Sequence, residues 1–197
     1  MADEARTMAF LRAQGYPVPA VEEVSDDGLD LVMERIEGLS MVDALAKAPW
    51  MVRRQGRTLA ELHHRLHRIE APEFLGPAPI GTGDRVVHLD LHPLNVMMSP
   101  KGPIVIDWTG ASAGDPLVDV GLAWVLMAAG QIPGKGAVTK ILGWGRALLV
   151  GAFVSQFDRR AVASRLRDVV TWKVTDPHMS EAEVAAMWKV VERAEAG

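Results

Sequence analysis

The chain has 197 residues, 49% of them apolar, enough to bury the core of one large domain or two small ones. Its 21 basic and 25 acidic residues give a formal net charge of −4, so electrostatics offer no reason to expect a nucleic acid or an anionic membrane as partner. With no cysteines, no basic-then-apolar leader and no apolar stretch of the roughly 20 residues that a membrane span needs, we expect a cytoplasmic protein.

The first 38 residues predict one helix and one hairpin. Apolar residues at helical spacing indicate a helix over 3–14 that ends at Gly15. Two strand-like segments, 21–24 and 29–36, flank a Ser-Asp-Asp-Gly turn and are typical of a β-hairpin.

Two helices are predicted around Pro49. Ser40 and Asp43 form a capping pattern that opens a helix through about Lys47. A longer helix follows Pro49 and ends before Pro72. Its buried stripe has the spacing i, i+3, i+7 and i+10 and consists of Leu59, Leu62, Leu66 and Ile69. Its arginines are spaced as on a solvated face: Arg53, Arg54, Arg57, Arg65 and Arg68.

The second half of the chain predicts a small strand cluster followed by helices. After a loop over 72–84 that is rich in Pro and Gly, short strands are expected over 85–88, 95–98 and 103–107. Further on, two helix starts are indicated, one by Asp115 before Pro116 and one by Ser180 with Glu183. The order of elements predicts an α+β fold.

Three polar residues in this cluster suit phosphoryl transfer. The sequence reads His88-Leu-Asp90-Leu-His92-Pro-Leu-Asn95, and after a short hairpin Ile106-Asp107-Trp108. Phosphoryl transfer needs a carboxylate that orients the attacking hydroxyl, and hard oxygen ligands for magnesium. Because the hairpin folds back, Asn95 and Asp107 are expected to reach one ion while Asp90 stays beside the acceptor.

These blocks, together with Gly114-Asp115-Pro116-x-x-Asp119, resemble those of aminoglycoside phosphotransferases and their choline-kinase-like relatives. The resemblance extends upstream to the Gly-Tyr-Pro-Val-Pro segment that ends at Pro19, and to residues 33–38, and so covers nearly the whole chain. It implies a protein kinase-like fold, with a reduced N-terminal lobe over 1–38 and a mostly helical C-terminal catalytic lobe over 39–197.

The resemblance also implies roles for individual residues. Asp90 would be the catalytic residue, Asn95 and Asp107 would hold Mg²⁺, and Asp119 would brace the catalytic loop from a helix. ATP would be the co-substrate, with a small hydroxyl-bearing molecule as acceptor. The adenine would be bound by a hinge that consists of Met33, Glu34, Arg35 and Ile36.

The remaining histidines and glycine pairs have plainer interpretations. His88 is expected to be a scaffold residue, and His92 fits equally well a residue that touches the site and one that does not. The glycine pairs 81–83 and 134–136 match no phosphate-binding loop and predict turns. Three histidines of the long helix are expected to lie on the surface rather than to bind metal: His63, His64 and His67.

The sequence departs from the family pattern in two places. Leu89 stands where the family has glycine, which allows an unusual backbone angle. The family also has a Gly-rich hairpin and a phosphate-binding Lys that pairs with a helix Glu. Glu4 is the candidate for that Glu, but the first lysine of this chain is Lys47.

Three hypotheses follow: an active small-molecule kinase, a catalytically impaired module that binds a ligand, or a truncated form of a complete kinase. A two-stranded hairpin is marginally stable alone, so we also expect either a homodimer through the N-terminal hairpin or a rearranged N-terminus.

Overall fold

The computed structural model describes residues 1–130, 137–177 and 179–196. The strands are β1 Val21–Val24, β2 Leu31–Met33, β3 Leu39–Ser40, β4 Arg85–Val87, β5 Val96–Ser99, β6 Gly102–Val105 and β7 Ser112–Gly114. The helices are α1 Ala2–Ala13, α2 Met41–Lys47, α3 Val52–Leu66, α4 Pro116–Ala129, α5 Ala137–Val154, α6 Arg159–Ala163, α7 Leu166–Lys173 and α8 Glu181–Glu195. Short 3₁₀ turns lie at Pro49–Met51 and Pro93–Asn95.

The strands form three small antiparallel sheets. β1 pairs with β2, β5 lies between β3 and β6, and β4 pairs with β7. The remaining elements are helices, so the α+β prediction is confirmed. The sheet β3–β5–β6 and the pair β4–β7 carry the segment that contains Asp90, Asn95 and Asp107.

Side-chain caps fix where four of the described helices begin, and three of these starts were predicted from the sequence. Ser40 accepts the N–H of Asp43 at the start of α2, as predicted. Asp115 accepts the N–H of Leu117, with Pro116 at the first position of α4. Ser180 and Glu183 form a capping box at α8. Each of these caps satisfies a backbone donor that the first helical turn leaves unpaired.

The core is built around α4, which is buried on almost every side. Helix α3 packs along α5, and α4 contacts α5, α7 and α8. The N-terminal segment is tied to this body at Tyr16, whose hydroxyl donates to the carbonyl of Leu62 (3.2 Å) and whose ring packs edge-on against Trp108. The N–H of Val105 donates to the carbonyl of Pro17 (2.8 Å).

Several element boundaries differ from the predictions. Helix α3 ends at Leu66, so Ile69 lies beyond it, although its side chain still packs against the core. The second strand of the hairpin is shorter than 29–36, and Asn95 belongs to a 3₁₀ turn rather than to β5. The sequence reasoning missed β3 and β7. The turn predicted at 134–136 lies outside the described residues.

In the part of the chain that the structure describes, no helix is both long enough and apolar enough to cross a bilayer.

Candidate active site

Asp90 and Asn95 are in direct contact. The amide nitrogen of Asn95 donates to the Asp90 carboxylate (Oδ2, 3.0 Å) and to the Asp90 carbonyl (3.0 Å). Since the amide nitrogen faces Asp90, the amide oxygen of Asn95 points elsewhere. The side chain of Asp90 is 39% exposed, so this pair is accessible from solvent.

The β5–β6 hairpin brings Asp107 beside this pair. Val96 pairs with Val105, and the N–H of Ile106 donates to the Asn95 carbonyl (3.0 Å). Asp107, the next residue, has a φ of +64° and an exposed side chain, and it accepts the Thr109 hydroxyl (2.8 Å). The three residues therefore lie at one end of the hairpin, with Asp90 and Asp107 reaching solvent.

Two histidines flank these residues in different ways. His92 accepts the N–H of Leu94 at Nδ1 (3.3 Å), which leaves the proton on Nε2, 3.4 Å from Asp90 Oδ1. His92 therefore touches the site.

His88 is fully buried, packs against the Trp108 ring (4.5 Å between centroids) and places Nε2 3.2 Å from the Ile106 carbonyl. Burial lowers the pKa of His88, which suits the scaffold role expected for it.

Asp119 reaches from α4 to the backbone just before Asp90. Its carboxylate accepts the N–H of His88 (3.1 Å), the N–H of Leu89 (2.7 Å) and the Nε2–H of His67 (2.8 Å). Burial would raise the pKa of Asp119, but the hydrogen bond and charge of His67 outweigh it and hold the pKa well below its usual range. The carboxylate therefore stays ionised and keeps all three donors.

Leu89 has a φ of +61°, in the left-handed region that favours glycine. The backbone therefore has an angle that glycine adopts freely, although the residue is leucine. The side chain is 6% exposed, so the core holds a residue whose backbone is strained.

The predicted hinge leads through Gly38 into β3, which pairs with β5 of the hairpin that carries the site. Met33 ends β2, and Glu34 donates its N–H to the Ala20 carbonyl (2.8 Å) while its carboxylate accepts the Ala20 N–H (3.2 Å). Arg35 and Ile36 follow outside any regular element. Gly38 (φ +153°) then passes so close to the backbone of Met98 that a Cβ would overlap the Met98 carbonyl. This glycine fixes the approach of the hinge to β5.

Two contacts in the site could hardly be predicted from the sequence. Glu4 on α1 accepts the N–H of Trp108 (3.2 Å), which ties the first helix to the residue after Asp107. His67 holds Asp119, and the only sequence signal for it is its position one helical turn after His63. The expectation that His63 lies on the surface was wrong, because it is fully buried between Phe153 and Phe157. His63 sits four residues after Leu59, on the buried stripe of α3. The same expectation was wrong for His67, whose side chain is only 9% exposed.

Comparisons with known proteins agree with this arrangement. Residues 75–147, which include Asp90, Asn95 and Asp107, match the sequence model of the phosphotransferase enzyme family. This segment carries the phosphotransferase pattern. The family resemblance predicted from the sequence is thereby confirmed. No curated protein matches the chain significantly.

Solved structures show that the chain has the fold of kinase-like phosphotransferases. An aminoglycoside-3'-phosphotransferase of type VIII shares 17% identity with a TM-score of 0.54, over 97% of this chain and 78% of its own. An amicoumacin kinase in complex with AMP-PNP and Ca²⁺ shares 13% identity with a TM-score of 0.50, over 98% of this chain and 76% of its own. A choline kinase from Streptococcus pneumoniae shares 15% identity with a TM-score of 0.49, over 100% of this chain and 80% of its own.

Proposed function

We propose that this chain transfers the γ-phosphate of ATP to a hydroxyl group of a small acceptor. The observation that carries the proposal is that Asn95 contacts Asp90 and pairs through its backbone with Ile106, the residue before Asp107. The phosphotransferase pattern over 75–147 supports the reaction class, and the kinase-like fold agrees with it.

Asp90 is proposed to orient the acceptor hydroxyl and to take its proton. One carboxylate oxygen accepts the Asn95 amide, and the other faces His92 Nε2 at 3.4 Å. Both contacts restrict the rotation of the carboxylate while the side chain remains partly open to solvent. A positioned carboxylate of this kind accepts a hydrogen bond from an attacking hydroxyl.

Asn95 and Asp107 are the proposed magnesium ligands, and their donor atoms fit the ion. Magnesium prefers hard oxygen ligands and is commonly held by one or two protein side chains together with substrate phosphates. Asn95 offers an amide oxygen turned away from Asp90, and Asp107 offers an exposed carboxylate. When bound, magnesium neutralises charge on the transferred phosphoryl group.

Adenine is proposed to bind along the hinge formed by Met33, Glu34, Arg35 and Ile36. The carboxylate of Glu34 is occupied by the Ala20 N–H, so the hinge offers backbone groups rather than this charge. Among the described residues, no hydrogen bond to another residue engages the backbone of Arg35 or Ile36. These groups are available to the edge of a nucleotide base.

A second candidate function is nucleotide binding without turnover. Glu4, the residue that would pair with a phosphate-binding lysine, instead accepts the N–H of Trp108. The strained Leu89 lies next to Asp90. Both features would slow turnover while leaving Asn95 and Asp107 in place to bind a nucleotide.

Calorimetry with AMP-PNP and MgCl₂ tests nucleotide binding. We expect binding by the wild type that Asp107→Ala weakens and that Asp26→Ala, an exposed carboxylate in the β1–β2 turn, leaves unchanged. Absence of binding by the wild type would contradict both candidate functions.

Phosphate transfer from labelled ATP to a panel of aminoglycosides and choline then separates the two. Asp90→Asn keeps the shape of the side chain and should retain nucleotide binding while lowering transfer by about 10²- to 10⁴-fold. Nucleotide binding by the wild type without transfer to any acceptor would favour the second candidate.

The proposal includes a cytoplasmic location and a homodimer through the β1–β2 hairpin, with neither nucleic acid nor membrane as partner. Leu29 and Val32 of this hairpin are 71% and 46% exposed, which leaves apolar surface for a second copy.

A further inference from the structure

The buried carboxylate of Asp119 is held by a side chain from a different helix. His67 is the C-cap residue of α3, and its side chain is only 9% exposed. Its Nε2 lies 2.8 Å from Asp119 Oδ2. Because a carboxylate only accepts hydrogen bonds, this nitrogen carries a proton and donates it.

His67 is itself fixed by its surroundings. Its backbone N–H donates to the carbonyl of His63 (2.9 Å), and the two imidazole rings meet edge to face at 5.7 Å. The ring of His63 packs against Phe153 of α5 (5.0 Å) and is anchored through Nδ1 to the Leu59 carbonyl (2.9 Å). The position of His67 therefore depends on the packing of α3 against α5.

The other two donors to Asp119 lie directly before Asp90. The N–H groups of His88 and Leu89 both point at its carboxylate. Leu89 is in a left-handed conformation that leucine avoids, so this backbone keeps its shape only while surrounding contacts impose it. A charged group as deeply buried as Asp119 is stable only when its partners are present.

We propose that His67 is a positioning residue for Asp90. By holding Asp119 in place, His67 fixes the two backbone amides that set the conformation of Leu89 and hence the direction of the Asp90 side chain. The inference rests on the proposed function, because the consequence for activity requires Asp90 to orient the acceptor.

Two substitutions of His67 test the role in turnover. His67→Phe removes the donor and should lower kcat by about 10- to 100-fold while leaving KM for ATP unchanged, since the hinge lies outside this network. His67→Gln places an amide donor near the same carboxylate oxygen and should recover most of the loss.

Val191→Ala, a buried change on α8, controls for lost stability, and His64→Phe controls for a ring change at an exposed position of α3. Neither control should change kcat. Wild-type kcat in His67→Phe, or an equal loss in Val191→Ala, would overturn the proposal.

Backbone hydrogen exchange tests the same role without any assay of activity. The amides of His88 and Leu89 should exchange faster in His67→Phe than in wild type, and at wild-type rates in His67→Gln and Val191→Ala. Unchanged protection in His67→Phe would overturn the role of His67 even if turnover is lost. If the wild type neither binds nucleotide nor transfers phosphate, the proposed function fails, and the exchange rates alone decide whether His67 holds the loop.

Discussion

Leu89 combines a buried side chain with a backbone angle that usually requires glycine. Its φ is +61°, and its side chain is 6% exposed. In this region a Cβ crowds the backbone, at a cost of about 1–2 kcal/mol for an ordinary residue. The side chain of Leu89 fills part of the core next to Asp90.

Comparing Leu89→Ala with Leu89→Gly isolates this cost. Both variants lose the buried side chain, but only alanine keeps the Cβ. We therefore expect the glycine variant to be more stable than the alanine variant by about 1 kcal/mol, the reverse of the order in a helix or strand interior. Urea unfolding measures the difference. A glycine variant that is no more stable than the alanine variant would show that Leu89 is not strained.

His63 gives the stability of the protein a dependence on pH. Burial lowers its pKa from 6.5 to about 4, although Asp119 acts in the opposite direction. Between these values the unfolded chain binds a proton that the folded chain does not, so stability falls as the pH falls. The full shift of the His63 pKa corresponds to about 3 kcal/mol in the free energy of unfolding. Asp119 affects stability in a different pH range. Its pKa is lowered in the folded state, so its contribution to stability is lost only as the pH falls below the usual pKa near 3.8.

His63→Phe should reduce this dependence while keeping a ring in the same cluster. We expect the free energy of unfolding of the wild type to fall between pH 6.5 and pH 4, and to fall less in His63→Phe. His64→Phe, at the exposed neighbouring position, should keep the slope of the wild type. The same slope in His63→Phe as in the wild type would mean that His63 already takes up its proton in the folded state.

At the scale of elements, close packing between α3 and α5 depends on Gly56. A Cβ at this position would lie 2.7 Å from the Leu149 carbonyl and 2.9 Å from Ala152 Cβ. The neighbours are backbone and a short side chain, so they have little freedom to move. Gly151, on α5, has no atom within 4 Å of the corresponding position.

The two glycines should therefore respond oppositely to alanine. Gly56→Ala is expected to destabilise the protein by about 1–3 kcal/mol through overpacking. Gly151→Ala is expected to stabilise it by about 0.5–1 kcal/mol, since alanine favours the helix. Thermal unfolding of both variants provides the measurement. Stabilisation by Gly56→Ala would contradict the helix packing described above.

Elements with local signals were predicted from the sequence, and elements that depend on distant contacts were not. The starts of α2, α4 and α8 follow from caps within one turn, at Ser40, Asp115 and Ser180. Strand β3 has two residues and exists because Gly38 lets the chain approach β5. No pattern in two residues reveals such a pairing.

In the candidate site, too, local features were predicted from the sequence and distant contacts were not. The spacing of Asp90, Asn95 and Asp107 could be recognised because one short hairpin joins them. The contact of Glu4 with Trp108 spans 104 positions, and that of His67 with Asp119 spans 52. These contacts depend on how α1, α3 and α4 pack, which the sequence does not state locally. His63 was misplaced because a polar residue type was given more weight than its position on an apolar stripe.

At the scale of the whole molecule, the β1–β2 hairpin leaves two apolar side chains exposed, those of Leu29 and Val32. In the described part of the chain its two strands pair only with each other. We expect a dimer through this hairpin, and sedimentation velocity should give twice the 21.4 kDa of one chain. Val32→Lys places a charge on the exposed apolar surface and should give a single chain. A wild type that sediments as one chain at every concentration would contradict the dimer.

The proposed function requires one metal–nucleotide site at the end of the β5–β6 hairpin. Mn²⁺ added with AMP-PNP provides a direct test, because the paramagnetic ion broadens the NMR signals of nearby nuclei. We predict selective broadening at Asn95, Ile106 and Asp107 that requires the nucleotide and is lost in Asp107→Ala. Broadening centred elsewhere, or the same pattern in Asp107→Ala, would contradict the proposed site.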